Sequence, residues 1–272
     1  MIHFSCEKLG SNLIRILDGS DVCDYLVLGT ERAALIDTSY GVGDLKGYVE
    51  TLTDKPYDVF ITHGHVDHAS GAEPFETVYM NPADTELYRE RCGMEYRRPS
   101  ITMRGIYPDL EEQDFHSLRT KPFLPLSDGM QFDLGGETIR WVAVPGHTQG
   151  TMVPILEKSR IAIFGDACGV GVLLVLPECS TVEAYCESLK HLQTFELMYD
   201  KVLRQHGTME SSKQVLEDNI ENCENILKGT DAAEKADFRG KPCLRAAKTD
   251  PKTGKRLDGR EGNILYFKER IR

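Results

Sequence analysis

The sequence predicts an α+β protein in which sheets and helices pack in layers. Apolar strands at residues 58–61, 138–144 and 160–164 each end in a turn that carries a histidine or an aspartate. Amphipathic helices at 180–195 and 210–228 follow these strands. A chain of 272 residues with 40% hydrophobic residues can bury a sizeable core. We therefore expect one domain over residues 1–272.

The first part of the chain has the alternation typical of short strands. Residues 13–17, 22–28 and 33–36 are rich in β-branched and other apolar side chains and are separated by turn residues, so we expect them to pair antiparallel. Asp37 follows the third of these strands. A helix comes next, because Leu45 and Val49 recur on one helical face.

The middle of the chain has a weaker pattern. A strand at 77–80 and a helix at 81–91 are predicted from their apolar runs and from Asn81-Pro82 as a helix start. Residues 92–121 have no clean period, and so long a connection inside a compact domain is typical of an insertion or a lid near a site. Within it, the Arg97-Arg98 pair is interpreted as a solvated basic pair.

The last part combines two helices with a polar tail. Ser180 and Glu183 form a predicted capping box for the helix at 180–195. The strand at 201–204 precedes the second helix, which Gly229 ends. Loops are expected over residues 230–262, which are rich in Lys, Asp and Gly, followed by a closing strand at 263–267.

The segment from Thr62 to His68, Thr-His-Gly-His-Val-Asp-His, concentrates metal-binding side chains. Three imidazoles and one carboxylate lie within six residues. Neutral nitrogen and anionic oxygen donors suit zinc or a similar divalent metal. Since no packing requirement explains four such donors in one tight turn, we predict a metal site.

The donors recur in a specific order. The His-x-His-x-Asp-His pattern of His63 to His68 is followed by His147, Asp166 and His206, each just after a predicted strand. This pattern resembles the metallo-β-lactamase-fold hydrolase superfamily over Asp37 to about His206. The resemblance implies a four-layer αββα sandwich, two sheets packed together with helices outside.

The resemblance also implies a role for each of these residues. His63, His65 and His147 would bind one metal ion, and Asp67, His68 and His206 would bind a second. Asp166 would bridge the two ions, and Asp37 would support the metal-binding loop through hydrogen bonds. The expected cofactors are therefore two divalent metal ions, with zinc as the first expectation and iron or manganese as alternatives.

A two-metal centre predicts hydrolytic chemistry. Two ions about 3.5–4 Å apart can hold a shared hydroxide at neutral pH, and one of them polarises the substrate carbonyl or phosphoryl oxygen. Asp67 is the predicted catalytic residue, which orients the hydroxide and moves its proton. We expect hydrolysis of a small-molecule ester, lactone or thioester. The alternatives are a phosphodiesterase and, from another class, a di-iron redox protein or a non-catalytic metal-binding module.

Composition narrows the partners and the compartment. The formal charge of −11 argues against a nucleic-acid surface, and no apolar run is long enough for a membrane span. No signal peptide is visible, and the eight scattered cysteines fit reduced thiols, so a cytoplasmic protein with a small-molecule substrate is expected. Cys168 is interpreted as a packing residue. The sequence leaves the oligomeric state and the substrate-binding residues open.

Overall fold

The computed structural model describes residues 3–105, 107 and 110–272, which form two compact units. Unit 1 contains the residues up to Trp141 together with 205–207, and unit 2 contains 142–204 and 208–272. Ile106, within the predicted insertion at 92–121, lies outside the described residues. The single domain over 1–272 stays a prediction.

Unit 1 is built on a mixed sheet with helices against it. Its strands are β1 (Ser5–Lys8), β2 (Leu13–Leu17), β3 (Cys23–Leu28), β4 (Ala33–Ile36), β5 (Tyr57–Ile61), β6 (Val78–Met80), β7 (Leu124–Pro125), β8 (Gln131–Asp133) and β9 (Thr138–Ala143). Its helices are α1 (Leu45–Leu52), α2 (Val66–Ala69), α3 (Thr85–Arg91) and α4 (Met94–Arg104), with 3-10 turns at Pro82–Asp84 and Glu112–Asp114. The cut between the units falls inside β9.

The sheet of unit 1 runs in the order β1 to β7. The pairs from β1 to β4 are antiparallel, as predicted for β2 to β4, and the pairs from β4 to β7 are parallel. Ile36 of β4 pairs with Phe60 of β5. Because carboxyl ends of parallel strands meet at one sheet edge, Asp37 lies beside the segment that begins at Thr62.

The two faces of this sheet bury different partners. Leu35, Val59 and Ile61 pack with Leu45 and Val49 of α1 in one apolar cluster. Phe60 points to the other face, as the two-residue side-chain period of a strand requires. There it contacts the rings of Tyr79, Phe132 and Trp141, with ring centroids 4.6–5.3 Å apart.

Unit 2 contains two groups of strands and two long helices. Its strands are β10 (Met152–Leu156), β11 (Ile161–Ile163), β12 (Val172–Leu174), β13 (Lys201–Leu203), β14 (Glu210–Ser211), β15 (Glu234–Phe238), β16 (Lys241–Arg245) and β17 (Ile264–Tyr266). Its helices are α5 (Val182–Gln193) and α6 (Val215–Lys228), with 3-10 turns at Glu196–Met198 and Lys268–Arg270. Apolar side chains of α5 and α6, such as Leu189 and Ile226, share a buried cluster with Val202 of β13.

Strand pairing in unit 2 follows two patterns. β11 lies between β10, antiparallel, and β13, parallel, and β14 pairs antiparallel with β13. In the other group, β17 pairs parallel with β12 and antiparallel with β16, which in turn pairs antiparallel with β15.

The polar tail differs from its prediction as loops. Residues 234–245 form a hairpin whose turn, Arg239-Gly240, has two positive φ angles of 53° and 79°. Such angles are those of a two-residue type I′ turn. The sequence shows no alternation of apolar and polar side chains there, because Cys243 is the one buried residue of β15 and β16.

Two helix starts also differ from the sequence prediction. The N-cap of α5 is Thr181, whose side chain accepts a hydrogen bond from the Ala184 amide, so the predicted Ser180-Glu183 capping box is wrong by one residue. Helix α6 begins at Val215, and the start of its predicted range is occupied by β14. The stop at Gly229 is confirmed, with a left-handed φ of 69°.

A helix occupies the first part of the predicted insertion. α4 carries Pro99 in its interior and has no regular apolar stripe, so neither helix propensity nor periodicity marked it in the sequence. Among the described residues, none of the helices is both long and apolar enough to cross a membrane.

The aromatic contacts of Phe60 generate a stability prediction. Phe60→Ala removes a buried ring that touches three others, and we expect a loss of about 3–5 kcal/mol in the free energy of unfolding, measured by urea denaturation. The control Leu124→Ala lies on the edge strand β7 and is 41% exposed, so its change should stay within about 0.5 kcal/mol. Equal losses in the two variants would contradict the packing described.

Candidate metal centre

The histidine cluster lies between β5 and α2 and is almost completely buried. His63, His65, Asp67 and His68 are between 0% and 8% exposed. The turn that carries them needs a glycine, because a Cβ at Gly64 would lie 2.9 Å from the Asp84 carbonyl oxygen. The Gly64 amide donates to the Asp84 carboxylate at 2.8 Å, which fixes the turn.

Asp37 is the acceptor that holds the cluster in place. Its Oδ1 accepts from the Thr62 amide at 2.7 Å, and its Oδ2 accepts from the Thr62 hydroxyl at 2.7 Å. The same Oδ2 lies 2.8 Å from His68 Nδ1 and accepts from Gln205 Nε2 at 2.5 Å. Asp37 is fully buried and has a left-handed φ of 65°, a conformation that costs about 1–3 kcal/mol for a non-glycine residue.

The two imidazoles of His68 and His206 face each other through their Nε2 atoms, 3.2 Å apart. His68 Nδ1 donates to Asp37, and His206 Nδ1 lies 2.9 Å from the Asp21 carbonyl oxygen. Since each Nδ1 has an oxygen acceptor, it carries the proton in the neutral ring. With these tautomers, both Nε2 atoms point their lone pairs toward the same position, as two ligands of one cation do.

Asp67 completes this donor set. Its carboxylate oxygens lie 3.6 Å from His206 Nε2 and 4.0 Å from His68 Nε2. Ligands about 2.0–2.1 Å from a tetrahedral zinc ion are separated by about 3.3 Å, close to these distances. The three residues Asp67, His68 and His206 therefore fit a transition metal ion.

His63 shows the same tautomer pattern. Its Nδ1 lies 3.1 Å from the Thr62 hydroxyl oxygen, whose own proton goes to Asp37. The Nδ1 of His63 is thus the donor, and its Nε2 carries the lone pair. The ring of His63 lies against those of His65 and His68, at centroid distances of 4.8 and 4.2 Å.

The predicted ligands of unit 2, His147 and Asp166, lie next to each other. His147 is 2% exposed and follows β9, and its Nδ1 is 3.1 Å from the Leu173 carbonyl oxygen. Its Nε2 is 3.4 Å from an oxygen of Asp166, whose side chain is 22% exposed. The two residues therefore present an imidazole lone pair and a carboxylate side by side.

Cys168, two residues after Asp166, is a packing residue in this structure. Its thiol is fully buried and accepts from Asn219 Nδ2 at 3.3 Å, and burial raises its pKa to about 12. A thiol with so high a pKa is protonated at neutral pH, so it offers little thiolate for metal binding or nucleophilic attack.

Several supporting residues escaped the sequence interpretation. Gln205 bonds Asp37 and the Cys23 carbonyl oxygen, and its own carbonyl oxygen accepts from the Cys23 amide. It holds the segment that carries His206 against β3. Its partners are distant in sequence, and the only available signal was its position directly before a histidine at a strand end.

Arg97 corrects the prediction of a solvated basic pair. It is 0% exposed, donates to the carbonyl oxygens of Ser70 and His116, and lies over the ring of Phe115. Burial lowers its pKa. Arg98, by contrast, is exposed. Arg97 faces inward because α4 turns it toward Ser70, the residue that ends α2, and it ties the segment 92–121 to the metal-binding helix.

The buried Arg97 and its exposed neighbour Arg98 allow a matched test of the anchoring role. Arg97→Ala leaves two buried carbonyl oxygens without donors and opens a cavity, so we expect a loss of about 2–4 kcal/mol in unfolding free energy and faster proteolysis within 92–121. Arg98→Ala should change stability by less than about 0.5 kcal/mol. Chemical denaturation and limited proteolysis measure both, and similar behaviour of the two variants would refute the anchoring role.

The Asp37 contacts generate a second prediction. Asp37→Asn places an amide NH₂ against donors from His68 and Gln205, so we expect zinc affinity to fall about 10–100-fold in competition titrations with a chromophoric chelator. Asp133→Asn is the control and should bind zinc like the parent, because Asp133 is an exposed residue at the end of β8 that accepts from the Gly135 amide. Unchanged affinity in Asp37→Asn would contradict the supporting role.

Comparison with known proteins agrees with the motif. Residues 20–214 match the family model of the metallo-beta-lactamase superfamily. The human acyl-coenzyme A thioesterase MBLAC2 is 27% identical over 200 residues, 67% of this chain and 71% of that protein. BaeB of Bacillus velezensis, a probable polyketide biosynthesis zinc-dependent hydrolase, is 25% identical over 155 residues, 56% of this chain and 59% of that protein.

A solved structure supports the fold. The metallo-beta-lactamase from Pontibacter korlensis aligns with a TM-score of 0.61 at 17% identity, covering 80% of this chain and 98% of that one. The predicted α+β metallo-β-lactamase fold and the prediction of a hydrolytic enzyme are thus confirmed. Since the family model matches most of its length, this chain belongs to the metallo-β-lactamase superfamily.

Proposed function

We propose that this chain hydrolyses acyl thioesters at a centre of two divalent metal ions, with zinc as the resident metal. The observation that carries the proposal is the pair of His68 and His206 Nε2 lone pairs held 3.2 Å apart beside Asp67. His68 is fully buried and His206 is 25% exposed, and two imidazole nitrogens beside a carboxylate form a donor set that suits zinc. The relative BaeB, named as a probable zinc-dependent hydrolase, supports zinc.

The proposal keeps the roles that the family resemblance implies for the other ligands. His63, His65 and His147 would hold the first ion, and Asp166 would be shared with the second. The tautomers support these roles, because His63 and His147 each have their Nδ1 beside an oxygen and leave Nε2 for a metal.

The chain's own residues account for the proton in the reaction. When bound, the two ions lower the pKa of water and polarise the thioester carbonyl. Asp67, which is 6% exposed, orients the attacking water and accepts its proton on a carboxylate oxygen. The oxygen of water forms a bond to the carbonyl carbon and the carbon–sulfur bond breaks. The proton from Asp67 then neutralises the departing thiolate, so that the products are a thiol and a carboxylic acid, which ionises by releasing its remaining proton to the solvent.

A relative supports an acyl thioester as the substrate. The human protein is named as an acyl-coenzyme A thioesterase, and this name points to the thioester bond class. Beside the metal motif, Val66 packs in a cluster with Tyr40, Val42 and Ile101, and these four side chains are at most 7% exposed and so belong to the core.

The experiment compares bond classes on zinc-loaded protein. We expect an acyl thioester to be cleaved faster than a p-nitrophenyl ester, a lactone or bis-p-nitrophenyl phosphate, and activity to vanish with a chelator and return with zinc. Asp67→Ala should lower kcat by about 10²–10⁴-fold, since it removes the proton acceptor. His191→Ala, a partly exposed histidine of α5 that stacks on Phe195, is the control and should keep the activity.

Three outcomes would overturn the proposal. Preferred cleavage of the phosphodiester would favour the alternative hydrolase class. Strong absorbance of the purified protein in the visible region would indicate iron and redox chemistry. Full activity in Asp67→Ala would remove its role in moving the proton.

A further inference from the structure

Asp24 is a buried carboxyl that the proposed reaction does not use. It is the second residue of β3 and is 0% exposed, between buried Cys23 and Tyr25. Its oxygens accept from the Ser39 amide at 2.9 Å and from the Ser39 hydroxyl at 2.6 Å. A carboxyl in such a place is costly, and burial raises its pKa well above the usual range. An apolar residue would pack there more favourably, so the presence of the Asp24 carboxyl calls for a role.

Ser39 needs this support because of its backbone. It has a left-handed φ of 50°, and Asp37, two residues earlier, has a φ of 65°. Residues with a Cβ avoid this region, and two of them in one three-residue turn persist only when surrounding contacts hold them. Asp24 holds Ser39 at both its amide and its hydroxyl.

The turn formed by residues 37–39 contacts His68 at both its backbone and its ring. The Thr38 amide and hydroxyl both donate to the His68 carbonyl oxygen, at 2.8 and 3.1 Å. Asp37 accepts from the His68 ring at 2.8 Å. A shift of this turn therefore moves both the backbone and the imidazole of His68.

We propose that Asp24 is a positioning residue, which locks the left-handed turn at residues 37–39 and thereby sets the orientation of His68 as a metal ligand. This inference rests on the proposed metal centre. The side chain of Asp24 hydrogen-bonds Ser39, and it acts on His68 through this residue.

The test compares Asp24→Ala with Asp24→Asn. The asparagine can accept from the Ser39 amide and bond its hydroxyl, whereas alanine can do neither. We expect the zinc Kd of the site that contains His68 to rise about 10–100-fold in Asp24→Ala and to stay within about threefold of the parent in Asp24→Asn. The readouts are metal content per chain and competition titration, with thermal unfolding of the metal-free proteins as the check on folding.

A second substitution separates positioning from general stability. Glycine adopts a left-handed φ freely, so Ser39→Gly should remove the need for the Asp24 support. The double variant Asp24→Ala/Ser39→Gly should therefore bind zinc at least about threefold more tightly than Asp24→Ala. If Asp24→Ala does not fold, Ser39→Ala, which removes only the hydroxyl bond, replaces it and should show a smaller loss.

Asp218→Ala is the matched control. Asp218 is a buried aspartate of α6 that accepts from the Glu261 and Gly262 amides, so its loss destabilises a loop and should leave zinc affinity unchanged. Zinc binding by folded Asp24→Ala at the parent affinity would overturn the inference and leave the metal centre standing. Failure of the parent protein itself to bind zinc would instead overturn the proposed function.

Discussion

The candidate metal centre of unit 1 depends on the carboxylate of Asp37. Its two oxygens take hydrogen bonds from Thr62, His68 and Gln205. Thr62 directly precedes the histidine cluster, His68 belongs to it, and Gln205 directly precedes His206. Because protein donors occupy both oxygens, Asp37 orients ligands and leaves the metal to them.

This arrangement uses conformations that the chain would otherwise avoid. Left-handed residues at 37 and 39 and a row of buried polar groups are each unfavourable alone. The parallel pairing of β4 and β5 and the apolar cluster beneath them provide the rigid frame that maintains this geometry. The site therefore has precise ligand orientation at the expense of local stability, a common property of functional sites.

The segment after α3 connects an apolar core cluster with the helix α2. Arg97 donates to the carbonyl oxygen of Ser70, which ends α2, and the same segment contributes Ile101 and Phe115 to the apolar cluster around Val66. Movement of α4 would therefore reach both this cluster and the helix that carries Asp67 and His68. The role of residues 92–121 as an insertion or lid stays a prediction.

The sequence by itself determined the features that depend on local spacing. The donors of residues 63–68 are adjacent in the chain, and strand ends before Asp37, His147 and His206 follow from apolar runs, so the fold class was predictable and candidate ligands could be named. Tertiary structure alone decided the inward turn of Arg97, the helix that contains Pro99, and the contacts of Asp24 and Gln205. Gln205 reaches Asp37 across 168 residues, and no periodicity records such a contact. Hydrogen bonds between distant segments form only after sheets and helices have packed, which is why the candidate ligands were visible in the sequence and the groups that contact them were not.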